Sequence, residues 1–179
     1  MQVFFIKPLI LVVGLLFAAS CIANKNSDYL LDTGDLISIQ VHGEEDLSFE
    51  TLIGGDGTIR YPFLGDINVS GKSVTQVRQS LTQGLKGDYL DEPSVHVYVV
   101  EYRPFFILGE VKNPQGYPYQ PGLTVNQAIA IAGGLTERAS IDDIGLKRKS
   151  DGKTAVIADI ELDFVVQPGD TITVRQRFF

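Results

Sequence analysis

The sequence predicts an α+β fold of two small domains, each a β-sheet carrying one helix. Short segments such as Leu36-Ile-Ser-Ile-Gln-Val41 and Thr171-Ile-Thr-Val174 alternate apolar and polar residues, as strands with one buried face do. Two capping boxes, Ser73-Val-Thr-Gln76 and Thr124-Val-Asn-Gln127, each open an apolar stripe at helical spacing. A Gly-Asp turn feeding a strand occurs twice, at Gly34-Asp35 and Gly169-Asp170. That echo fits two like units rather than a solenoid, which needs about three or more stacked repeats.

A leader precedes the first unit. Lys7, the apolar run Pro8 to Ala19 and the small residues that follow give the order of a signal peptide over residues 1–23. The run is shorter than the roughly 20 apolar residues of a membrane span. Cys21 is the only cysteine, which excludes an intramolecular disulfide. It sits where a lipoprotein leader ending at Ser20 would expose its lipidated residue, and acylation there would anchor the chain without a spanning segment. Ala18 stands where that pattern prefers leucine, so ordinary cleavage after Ala23 competes.

The first unit is expected over residues 27–102. Ile37, Ile39 and Val41 share one face of its opening strand. Leu47 to Ile53 and Thr58 to Tyr61 flank Gly54-Gly55-Asp56-Gly57, which reads as a hairpin turn. Pro62-Phe63-Leu64-Gly65 turns the chain into a short strand at Asp66 to Val69. The helix from Ser73 presents Val74, Val77, Leu81 and Leu85 to a sheet whose next strand is Ser94 to Val100, with Pro93 at its entrance, where a missing N–H is tolerated.

The second unit, residues 103–179, begins with the strand Phe105 to Leu108. Loop and turn follow through Asn113-Pro114-Gln115-Gly116, then Tyr117 to Tyr119. The second helix shows Val125, Ala128, Ile129 and Ala132, and Gly133-Gly134 supplies a left-handed C-terminal cap. Ile144 to Arg148 and Thr154 to Ile160 straddle Ser150-Asp151-Gly152 as a hairpin, before the closing strand Thr171 to Val174.

Charge and motifs narrow the function classes. The net charge is −7 and becomes more negative without Lys7, which opposes nucleic-acid binding. Lys147-Arg148-Lys149, the only basic cluster, reads as a solvated edge. Asp28, Asp32 and Asp35 lack the spacing of an EF-hand and read as turn-capping carboxylates. His42 and His96 have no cysteine partner in the body of the chain to complete a zinc site. Gly54 to Gly57 has no following Lys-Ser/Thr, Gly133-Gly134 follows a helix instead of preceding one, and no Gly-x-Ser-x-Gly elbow is present. No catalytic residue, metal site or cofactor is therefore assigned. An exported binding or assembly protein is expected, with a glycan-cleaving enzyme left as a minor reading because paired carboxylates depend on spatial separation.

Ordered blocks of both units resemble the bacterial outer-membrane polysaccharide export family, which joins a polysaccharide export domain to a soluble-ligand-binding β-grasp (SLBB) domain. The first domain's pattern is matched at Gly34-Asp35, Asp56-Gly57, Pro62, Gly65, Gly71 and Pro93. The second is matched at Gly109-Glu110-Val111, Pro114, Gly116 and Ala132-Gly133-Gly134. The resemblance implies a periplasmic ring of identical subunits, associated with the outer membrane, that forms or gates a conduit for capsule or exopolysaccharide. Its implied partners are copies of itself, the polysaccharide and an inner-membrane polysaccharide co-polymerase. Because the sequence stops at Phe179, a short member is expected, needing a separate outer-membrane pore partner or an anchor at Cys21. The alternative is a monomeric periplasmic module that binds a glycan or small ligand.

Overall fold

The computed structural model describes residues 29–150 and 153–177 and has the α+β architecture expected, two sheet-and-helix units with separate cores. Cys21 and Asp28 lie outside the described residues. The first unit contains β1 (Leu36–Val41), β2 (Glu44–Leu52), β3 (Thr58–Tyr61), β4 (Gly65–Asn68), α1 (Val74–Leu85) and β5 (Val95–Glu101). Its main sheet has the order β2-β1-β5, antiparallel throughout. Ile37, Ile39 and Val41 are buried on one face, as their alternation requires.

Helix α1 starts where the capping box places it. Ser73 Oγ accepts from Gln76 N, and the Gln76 side chain accepts from Ser73 N at 2.8 Å. Val77, Leu81 and Leu85 are buried on its inner stripe, contributing about 2 kcal/mol each.

One pairing differs from expectation. Gly54 to Gly57 do not close a hairpin between β2 and β3; β2 returns along β1, while β3 pairs with β4 in a separate two-stranded ribbon. The glycines instead carry the chain from one sheet to the other. Tyr61 ties the ribbon to the main sheet: its hydroxyl donates to the Leu47 carbonyl at 2.9 Å, and burial pushes its pKa up to about 12.

The second unit contains β6 (Phe105–Gly109), β7 (Gln115–Tyr117), α2 (Val125–Ile131), β8 (Ala139–Ser150), β9 (Lys153–Ile157) and β10 (Thr171–Gln176). Sheet order is β7-β6-β10-β8-β9, with β10 parallel to β6 and antiparallel to β8. Thr124 and Gln127 form the second capping box, and Val125, Ala128 and Ile129 enter the core. Ala132 is the C-cap and buried; Gly133 and Gly134 follow at φ 84° and 90°. Of the basic triplet only Lys147 is paired on both sides; Arg148 and Lys149 run past the start of β10 and pair with β9 alone. Alternation turns Arg148 away from Lys147 and Lys149, which are both exposed.

Candidate functional site

The two Gly-Asp turns are built alike. Asp35 N donates to Asp32 O, and the Asp35 carboxylate accepts from Asp32 N at 2.9 Å. Asp170 N donates to Gln167 O, and its carboxylate accepts from Gln167 N at 2.7 Å. Both aspartates are fully buried, and each holds an arginine: Arg103 Nη1 at 3.1 Å from Asp35, Arg148 Nη2 at 2.7 Å from Asp170. Arg148 is bidentate, with Nε at 2.9 Å from the second oxygen, and its guanidinium lies over the Phe164 ring.

These turns meet at the junction of the units. A Cβ on Gly34 would stand 3.5 Å from Arg103 Cβ, and one on Gly169 would stand 2.9 Å from Arg103 Nε. Arg103 therefore passes between the two glycines, one from each turn. Its backbone N–H also donates to Asp35 at 2.8 Å, and Nη1 donates to the Tyr29 hydroxyl, which in turn donates to Asp35 at 2.6 Å. Burial and that bond to Asp35 push the Tyr29 pKa far above the usual tyrosine value. Beside this network Tyr102 lies edge-on to Tyr29 at 4.9 Å and to Tyr119 at 5.5 Å, an aromatic row that crosses from one unit to the other.

A cleft of about 600 Å³ opens over this joint. The first unit lines it with Tyr29 to Thr33, Gly55-Asp56-Gly57 and Ser70-Gly71; the second lines it with Tyr119, Arg148-Lys149, Val165 and Gln167-Pro168. Arg103 stands between them. Burial opposes charge on Asp32, but bonds from Ser70 Oγ and Thr33 N, with Arg103 and Lys149 nearby, outweigh it and hold the carboxyl below the usual range. Asp56 is exposed and accepts from Thr58 N and Oγ1, which also lowers its pKa. Acidic, basic and tyrosine residues of both units thus line one open volume, with the Arg103 and Arg148 guanidinium groups already paired to Asp35 and Asp170.

The residues singled out from sequence fall into three places. Asp56, Gly57 and Gly71 line the cleft, whereas Gly34 and Asp35 do not line it and instead meet Arg103. Pro62 and Gly65 lie in the β3–β4 turn, and Pro93 precedes β5; none of the three lines the cleft. In the second unit, Glu110 and Val111 pack on the end of α2: Thr136 N donates to Glu110 O at 3.1 Å, and Asn113 N to Ala132 O at 2.9 Å. Lys112 N reaches Gly134 O at 3.0 Å, and Tyr117 OH reaches Asn113 O just before Pro114 at 2.7 Å. Gly116 lets the Phe106 ring lie across the neighbouring strand; a Cβ there would be 2.9 Å from that ring. This second cluster holds the loop to the helix and contributes no group to the cleft.

Tyr29, Arg103, Tyr119 and Arg148 escaped sequence reasoning. The alternation around Arg148 was the one available signal, since it separates that side chain from its two basic neighbours. His42 and His96 are both exposed in the first unit, and among the described residues no group of three His, Cys, Asp or Glu side chains could hold a metal ion. No helix among them is long and apolar enough to cross a membrane.

Two consecutive sheet-and-helix units joined over an open, polar cleft define a two-domain α+β protein. Residues 23–100 match the family model "Polysaccharide biosynthesis/export protein", and residues 104–158 match the SLBB domain. The chain belongs to the outer-membrane polysaccharide export family, with an export domain followed by an SLBB domain. Members of that family are periplasmic or associated with the outer membrane, which places this chain in the cell envelope. It is 39% identical over 93 residues to the exopolysaccharide production protein ExoF of Rhizobium meliloti, covering 50% of this chain and 22% of ExoF. Identity is 26% over 188 residues to the EPS I polysaccharide export outer membrane protein EpsA of Ralstonia nicotianae, covering 86% and 49%. It is 29% over 165 residues to the polysialic acid transport protein KpsD of Escherichia coli, covering 85% and 29%. The chain spans about half the length of EpsA and less of the other two. The SLBB match ends before β10, yet β10 is the central strand of that sheet.

Proposed function

We propose that this chain is a non-enzymatic subunit of a capsule or exopolysaccharide export complex, and that copies of it close into a ring that forms or gates the conduit. The export and SLBB domains divide at residues 102 and 103, and both contribute to the ring. Its partners are further copies of itself, the polysaccharide, an inner-membrane polysaccharide co-polymerase and an outer-membrane pore; Cys21 is a proposed lipidation site. The observation that supports this most is the succession of the two matched domains, with Arg103 set between a Gly-Asp turn of each. A ring needs head-to-tail contacts that close, and two domains in succession give each subunit two different surfaces to offer them.

Light scattering on protein purified from the envelope tests the ring. A single species of several chain masses is expected. A single-chain mass at every attainable concentration, together with stoichiometric saccharide binding, would instead establish the second reading, a monomeric glycan- or small-ligand-binding module, which the interdomain cleft favours.

A further inference from the structure

Outside the cleft, the turn between β3 and β4 holds an apolar side chain in a costly way. Phe63 has φ 64°, a left-handed conformation that bulky residues rarely adopt, and 67% of its surface is exposed. Its neighbour explains the geometry: Leu64 plugs against α1 at Gly84, where a Cβ would be only 2.9 Å from the leucine side chain. With Leu64 turned inward, Phe63 is turned out. Tyr89 backs it, the two rings stacked at 5.0 Å and 25°. Beside the free face lies a groove of about 490 Å³ lined by Phe49, Arg60, Pro62 and Phe63. At its rim Arg60 and Asp66 form an ion pair at 3.6 Å, both largely exposed.

We infer that this turn is a saccharide platform, on which the apolar face of a neutral pyranose ring stacks against Phe63 while Arg60 and Asp66 meet its equatorial hydroxyls. The inference rests on the export reading and names the point of contact with the polymer. A pyranose presents axial C–H bonds as a flat, weakly positive face, the complement of an aromatic ring's negative face. The pair of rim charges supplies one donor and one acceptor group, which suits hydroxyls, themselves both donors and acceptors. Charge favours a neutral polymer. Residues 29–102 carry twelve Asp and Glu against four Lys and Arg, whereas residues 103–179 carry nine of each, so an acidic chain is repelled from the half that bears the platform.

The test is a titration of the full protein, observed through aromatic-ring NMR signals. Its probes are cellohexaose, maltohexaose, hexagalacturonate and hexasaccharides cut from the polysaccharide that the producing cells secrete. At least one neutral hexasaccharide is expected to shift the Phe63 and Tyr89 signals saturably and reversibly, and hexagalacturonate to leave them unchanged. Phe63→Asn suits the left-handed backbone and removes the ring; it should weaken binding about tenfold while the melting temperature holds or rises. Phe63→Tyr should retain binding. Absence of a shift with every saccharide, or equal binding by Phe63→Asn, overturns the platform. So does a change in assembly mass on Phe63→Asn with saccharide binding intact, which would make the ring a contact between chains. None of these results bears on export itself, which is read independently in cells.

Discussion

Asp35→Ala is expected to cost about 3–5 kcal/mol of folding stability, a large share of the 5–15 kcal/mol typical of a domain. The carboxylate accepts from the Tyr29 hydroxyl, from the backbone N–H groups of Asp32 and Arg103, and from Arg103 Nη1, all inside the joint. Truncation leaves the guanidinium of Arg103, only 18% exposed, without its counter-charge. It also leaves two backbone donors unpaired, and stranded groups make the loss exceed the worth of the intact pair. Asp35→Asn preserves the shape and one acceptor, so a smaller loss is expected. Urea denaturation followed by circular dichroism measures both, and an Asp35→Ala midpoint within error of the parent would show that the joint does not depend on this carboxylate. Asp170→Ala removes the corresponding bidentate partner of Arg148, and the same treatment applies to it.

Gly109→Ala carries the second large effect. Gly109 has φ +87°, and a Cβ there would lie 2.0 Å from the Val174 carbonyl oxygen, inside any permitted contact. The oxygen belongs to β10, whose parallel pairing with β6 ends at Val174 opposite Gly109, and it accepts from Glu110 N at 3.0 Å. The methyl must push β6 away from β10, the central strand of the SLBB sheet. A loss of at least about 3 kcal/mol is expected, which for a unit of this size lowers the melting temperature on the order of 10–20 °C. Gly122→Ala is the control: Gly122 has a similar φ of +83° but nothing within 4 Å, so it isolates the backbone term of about 1 kcal/mol. Equal melting temperatures for the two variants would refute the steric account.

Local chemistry made the elements legible. The boxes at Ser73 and Thr124 mark their helices because the partners that cap each start are three residues apart, and the alternation of Leu36 to Val41 describes a face that β1 buries. Partner choice is a different matter. Gly54 to Gly57 announce a turn, but whether the strand before it pairs forward or back depends on which sheet buries Leu47 and which buries Ile59. The parallel match of β6 to β10 joins segments separated by more than half of the second unit, and no local spacing encodes it. The site shares this limit. The repeated Gly-Asp turn was visible, and each turn's internal bond follows from it. The ion pair of Asp35 with Arg103 spans 68 positions, so the residue that makes the two turns one joint could not be read from either. Phe63 escaped for the opposite reason: the turn was read, but the outward direction of its side chain follows from where Leu64 meets Gly84.

Export of the polymer is the claim on which the reading of this chain depends, and it is measured most directly by deleting the gene and quantifying surface polysaccharide inside and outside the cells. Retention of polymer within the envelope, with little outside and with synthesis intact, is the predicted result, reversed by the restored gene. Undiminished secretion from cells that lack the protein would contradict it.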